Sequence, residues 1–128
     1  MSYLIDTNVA IYLRDRDPTV RAKIDALGET VVLSIVSRIE LEGGVRREPS
    51  RAAVRRARLD LMLAAIVVLP FDAAAADIYR VIVETAGYSR RKILDRMIAA
   101  QAIEHRATLV TMNAADFADI PNLKVLAW

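Results

Sequence analysis

The chain has 128 residues, with 18 Lys plus Arg against 16 Asp plus Glu and 55% hydrophobic residues. That is one domain's length, 1–128 as a single unit, able to bury about two thirds of its surface and too apolar for a disordered chain. With no cysteine and a single histidine, His105, the chain alone excludes disulfides, thiolate metal sites, cysteine nucleophiles and multi-histidine metal centres.

In chain order, Tyr3-Leu4-Ile5 predicts a first strand, followed at once by Asp6-Thr7-Asn8 and a helix over 8–14. Asp6 suits either a helix N-cap or a functional carboxylate at a strand end. A helix over 19–27 follows Pro18, and Val31-Val32-Leu33 predicts the second strand. The next helix, over 37–47, opens on Ser37-Arg38-Ile39-Glu40, a capping-box pattern, and Glu40 is equally placed to bind a cation. Gly43-Gly44 inside this helical pattern is costly, at about 1 kcal/mol each relative to alanine. It points to close backbone packing or an early helix end.

Six arginines (Arg46, Arg47, Arg51, Arg55, Arg56 and Arg58) and one acid, Glu48, fall within 46–58, a local charge of +5. A helix over 50–65 puts Arg51, Arg55 and Arg58 on one face, expected toward solvent, with Ala57, Leu61 and Ala65 as a separate stripe. Ile66 to Leu69 predicts the third strand and 73–86 another helix. Arg90-Arg91-Lys92 then precedes a helix over 94–106. There Leu94, Ile98 and Ala102 form an apolar stripe, and Asp95 flanks it in the dipole-favoured first turn. His105 on the same helix is read as structural or superficial. Thr108 to Thr111 predicts the fourth strand, followed by Asn113 and Asp116. Lys124-Val125-Leu126 predicts the fifth.

Short β-branched runs alternating with helices imply a mostly parallel five-stranded sheet covered on both faces. Ligands of such sheets bind beyond the carboxyl ends of the strands. Asp6, Glu40 and Asp116 each follow a strand, and Asp95 opens a helix. Gathered together, four carboxylates would repel, and a hard divalent cation would relieve the repulsion. Oxygen-only ligation points to Mg²⁺ or Mn²⁺. No apolar run reaches the roughly 20 residues that span a bilayer. With no basic start before an apolar core, a cytoplasmic protein without membrane attachment is expected.

Asp6-Thr7-Asn8, Glu40-Leu41-Glu42-Gly43-Gly44, Asp95 to Ala100, Thr111 to Phe117 and the final Leu123 to Trp128 together resemble the PIN-domain family. The likeness is specifically to VapC-type ribonuclease toxins of toxin–antitoxin pairs. Each motif alone is weak; their order and spacing are specific, and the resemblance runs from Tyr3 to Trp128. Many relatives carry aspartate where this chain has Asn113, so the fourth acidic role is assigned to Asp116.

The resemblance implies a three-layer α/β/α fold and a metal-dependent endoribonuclease. Asp6, Glu40, Asp95 and Asp116 would hold Mg²⁺ or Mn²⁺, and the first three would be catalytic. Thr7, Thr111 and Asn113 would support them. Arg90, Arg91 and Lys92 would guide RNA. A homodimer and a VapB-type antitoxin partner are also implied. Two alternatives are a PIN fold that binds RNA or protein without cutting, and a phospho-acceptor receiver-like domain. The latter needs an acid pair after the first strand and a late lysine outside the sheet; this chain has only Asp6, and Lys124 lies in the last strand.

Overall fold

Neighbouring strand residues point to opposite faces of a sheet, and three such pairs lay out this molecule. The computed structural model describes residues 1–128. Leu4, Val32 and Leu109 enter one core and Ile5, Leu33 and Val110 the other. They belong to β1 (Ser2–Ile5), β2 (Thr30–Ser34) and β4 (Thr108–Thr111). With β3 (Val67–Leu69) and β5 (Val125–Ala127) they form one sheet in the order β3-β2-β1-β4-β5. Every pairing is parallel, and Leu4 lies opposite both Val32 and Leu109. Parallel register stacks like faces together, so both faces must be covered.

Helices α1 (Thr7–Arg14), α2 (Pro18–Leu27), α3 (Ile35–Val45) and α4 (Ala52–Ala65) supply the core that holds Ile5. Helices α5 (Ala73–Ala86) and α6 (Ile93–Glu104) supply most of the core that holds Leu4. The result is a three-layer α/β/α arrangement, as expected. The order of the sheet reverses at β1, because the chain leaves it toward β2 and returns on its other side as β4. The gap beyond the carboxyl ends of β1 and β4 is therefore the switch point at which ligands bind.

Side-chain caps fix the helix starts. Asp6, Asp17 and Asp72 each accept the N–H three residues on, from Val9, Val20 and Ala75, at 2.9–3.0 Å. At α3 the structure corrects the sequence reading. The cap is Ser34, whose Oγ accepts the Val36 N–H at 2.9 Å, so the helix starts before Ser37 and no capping box joins Ser37 to Glu40. Ser34 also donates to Gln101 Oε1. The buried Gln101 amide donates to the carbonyls of Leu69 (3.1 Å) and Pro70 (3.0 Å). One α6 side chain thus ties the end of β3 to the start of α3.

Three other expectations fail. The Ala57, Leu61 and Ala65 stripe faces outward, with Leu61 62% exposed; Leu59 and Met62 make the buried stripe of α4. Leu94 is also exposed, while Ile98 and Ala102 are in the core. Helix α3 neither ends at Gly43-Gly44 nor packs tightly there: it runs on to Val45. A Cβ at Gly43 would meet nothing within 4 Å, and one at Gly44 only Arg14 Nη1, at 3.8 Å. No helix is long and apolar enough to cross a membrane.

Candidate active site

The carboxyl end of β1 hands over directly to α1, so Asp6 sits at the switch point with its side chain fixed by its own helix. Its Oδ1 accepts the Val9 N–H at 3.0 Å, and the residue is only 6% exposed. Burial pushes its carboxyl above the usual range, against the opposing pull of Thr111 and the N–H groups of Val9 and Asn8. Glu40 projects from α3 about 1.7 turns after the Ser34 cap. Thr7 Oγ1 donates to Glu40 Oε1 at 2.7 Å and lies 2.8 Å from Ser37 Oγ. The threonine has one hydroxyl proton, and Glu40 takes it; Ser37, fully buried, must then donate to Thr7. A Ser37–Thr7–Glu40 relay thus links α1 to α3.

Asp95 comes from the first turn of α6, and Asp116 from the short 3-10 turn Ala114–Phe117 after β4. Asp119, just beyond that turn, pairs with Arg96 (3.2 Å) and Lys92 (3.3 Å). Burial pushes the Asp119 carboxyl up, but the two cations outweigh it and hold it below the usual range. This clamp docks the Asp116 turn on α6.

Asp6, Glu40, Asp95 and Asp116 line one cleft of about 770 Å³, together with Thr7 and Asn113. Their mutual repulsion is visible at Asp95. Burial first, then the charges of Asp116, Asp6 and Glu40, raise its carboxyl, while Arg91 pulls it down. The side chains as they stand do not form a closed group of three metal ligands. Thr7 holds one Glu40 oxygen, Oε1, which leaves the other for a cation. The donor set is all carboxylate oxygen, which suits a hard divalent ion.

The remaining sequence candidates divide. Thr111 lies wholly buried beneath the cleft, where its Oγ1 accepts the Asn113 N–H at 3.0 Å. Arg90 and Arg91 are exposed on the 3-10 turn that leads into α6, outside the cleft lining, and Lys92 is occupied by Asp119. His105 caps the far end of α6, beside Glu104. Arg55 departs from expectation: it is turned inward and lines the cleft, because it donates to the Gly44 carbonyl (3.1 Å) and Glu48 (3.1 Å). Arg14, Arg47 and the two glycines also line the cleft and were not foreseen. The signal was there: Glu40, Gly43, Gly44 and Arg47 fall at i, i+3, i+4 and i+7, one helical face.

Comparison with known proteins agrees with this fold. The model of the PIN domain family matches residues 3–123. The chain is 30% identical over 134 aligned positions to Ribonuclease VapC2 of Rickettsia felis, covering 100% of this chain and 98% of that protein. Among solved structures, VapBC2 from Rickettsia felis bound to a DNA fragment from their promoter superposes with a TM-score of 0.87. It is 29% identical, and the match covers 100% of this chain and 99% of that one. DNA-bound VapBC from Salmonella typhimurium shares the fold, with a TM-score of 0.86 at 21% identity over 100% and 98% of the two chains.

Proposed function

The chain belongs to the PIN-domain family, and from that premise we propose that it is a ribonuclease, the toxin of a VapBC-type toxin–antitoxin pair, which hydrolyses RNA phosphodiesters with Mg²⁺ or Mn²⁺. The observation that carries this reading is the convergence of Asp6, Glu40, Asp95 and Asp116 on one cleft at the switch point. Full-length similarity to a VapC ribonuclease supports the RNA substrate and the antitoxin partner. A homodimer and a cytoplasmic location belong to the same proposal.

In this mechanism Asp6, Glu40 and Asp95 would hold the cation, with Asp116 completing the oxygen set. A bound divalent ion would supply positive charge that acidifies a water and steadies the leaving oxygen. Asp6 is pre-set, since the Val9 N–H fixes one of its carboxylate oxygens. Thr7 keeps Glu40 oriented. The Arg96–Asp119 clamp holds the Asp95 and Asp116 elements together. Arg91, whose charge acts on Asp95, and exposed Arg90 next to it draw the RNA strand inward. No cysteine, histidine or 2′-hydroxyl nucleophile is required.

The test is substitution. Asp6→Asn, Glu40→Gln and Asp95→Asn should each abolish RNA cleavage without lowering the melting temperature of the metal-free protein; Asp116→Asn should cost less. Full activity in Asp95→Asn would sink the assignment.

A further inference from the structure

The acids occupy only one end of the cleft. From Glu40 the lining runs along α3 past Gly43 and Gly44 to Arg47, two residues beyond the helix end. Along α1 it runs from Asp6 to Arg14. The far end carries Arg14, Arg47 and Arg55, and two of the three are held in place. Arg14 is 5% exposed, and Asp15 grips its Nε (3.0 Å) and Nη2 (3.3 Å). Its Nη1 makes no hydrogen bond within the chain and lies beside Gly44. Arg55 is anchored on the other side of Gly44, on that residue's carbonyl and on Glu48. Arg47 is exposed and forms no ion pair.

The glycine pair has no structural reason within the chain. Neither glycine has a positive φ, and a Cβ at either position meets nothing closer than ordinary contact. Glycine inside a helix is unfavourable. Bare backbone between three guanidiniums is useful, however, when something must approach closely from the cleft. Asp15 neutralises Arg14 and Glu48 neutralises Arg55, so Arg47 leaves one net positive charge. That charge matches one phosphodiester, and the free Nη1 of Arg14 supplies a fixed donor.

We propose that Arg14, Arg47 and Arg55, around the Gly43-Gly44 backbone, form a subsite for a phosphodiester of single-stranded RNA next to the one that is cleaved. The proposal rests on the ribonuclease reading of the acidic end. The strand lies across α3 with the scissile phosphate at the acids and a neighbouring phosphate at the arginines. Arg55 and Arg14 position; Arg47 contributes the uncompensated charge.

The test is equilibrium binding of a short, labelled, mixed-sequence single-stranded RNA at several salt concentrations, in an Asp95→Asn background that does not cut. Arg14 is buried, and its truncation risks the α1–α3 packing, so two surface variants carry the test. Arg47→Ala should weaken binding and shrink the slope of log affinity against log salt by about 0.7. Gly43→Gln adds bulk without charge. It should weaken binding tenfold or more with the slope kept, and its melting temperature should rise, because glutamine is the better helix former. If the background protein binds RNA and both variants match it in affinity and slope, the subsite is overturned and the ribonuclease reading stands. If the background protein binds no RNA, both fall. An arginine end that instead received the acidic side chains of a protein partner would leave the RNA isotherms unmoved, which also overturns the proposal.

Discussion

Replacing Thr7 with valine removes one hydroxyl and leaves the side-chain volume nearly unchanged. The structure gives that hydroxyl two partners, Glu40 Oε1 at 2.7 Å and Ser37 Oγ at 2.8 Å. A hydrogen bond to a charged group contributes about 1.5–3 kcal/mol. Glu40 is exposed, so water competes for it and the lower value applies. That corresponds to about tenfold in the population of correctly aimed Glu40, at the low end of the roughly 10–100-fold cost of losing a partner that orients a metal ligand. kcat/KM for RNA cleavage should therefore fall about tenfold.

Stability should fall for a separate reason. Ser37 is fully buried, and losing its acceptor costs about 1–3 kcal/mol. The unfolding entropy of a chain this long is about 0.27 kcal/mol/K, so the melting temperature should drop by about 4–11 °C. Cleavage rates with saturating metal and melting curves in chelator separate the two effects. Thr7→Ser, which keeps the hydroxyl, should recover most of the activity. A Thr7→Val protein within twofold of the parent in kcat/KM would refute the relay from Ser37 through Thr7 to Glu40.

Two further outcomes follow from the charges. Asp95 has a raised carboxyl in the folded protein, so the native state keeps that proton to higher pH than the unfolded chain does. The associated stability is present below the unfolded value, about 3.9, and is lost as pH rises through the folded one. In metal-free protein, Asp95→Asn should therefore melt higher than the parent at neutral pH, with the gain shrinking as pH falls toward about 4; a gain that grew on acidification would contradict the sign. Neutralising Arg90 and Arg91 in the non-cutting background should reduce the salt slope of RNA binding by about 1.4, two contacts' worth. Lys92 is held by Asp119 and should add little, and an unchanged slope for the arginine pair would remove them from the RNA path.

Most of the architecture was legible because its signals are local. Five short β-branched runs and the capping aspartate Asp6 mark where elements begin; Asp17 and Asp72 cap helices in the same way but were not singled out. Asp6, Glu40 and Asp116 were legible because strand-to-helix handovers in a parallel sheet lie at one edge; Asp95 follows no strand and was legible only as an acid in the first turn of a helix. What stayed hidden depends on tertiary contact. Ser34 rather than Ser37 caps α3, since β2 ends one residue before the helix and Gln101, distant in sequence, holds Ser34 in place. The direction of Arg55 depends on the Gly44 carbonyl, which appears beside it only once α3 and α4 pack. The stripe of Ala57, Leu61 and Ala65 misled because alanine and leucine favour helices on either face; the arginine spacing marked Arg51, Arg55 and Arg58 as the wet face when Leu59 and Met62 decide which side is buried.

The central claim is that this acidic cleft cuts RNA only with a hard divalent cation. The direct measurement is cleavage of total cellular RNA by the purified protein, before and after exhaustive chelation, with Mg²⁺, Mn²⁺ or Ca²⁺ then added back. Activity should vanish with the chelator and return with Mg²⁺ or Mn²⁺; Ca²⁺, with its larger and looser oxygen shell, should restore little. Undiminished cleavage in excess chelator would contradict the account.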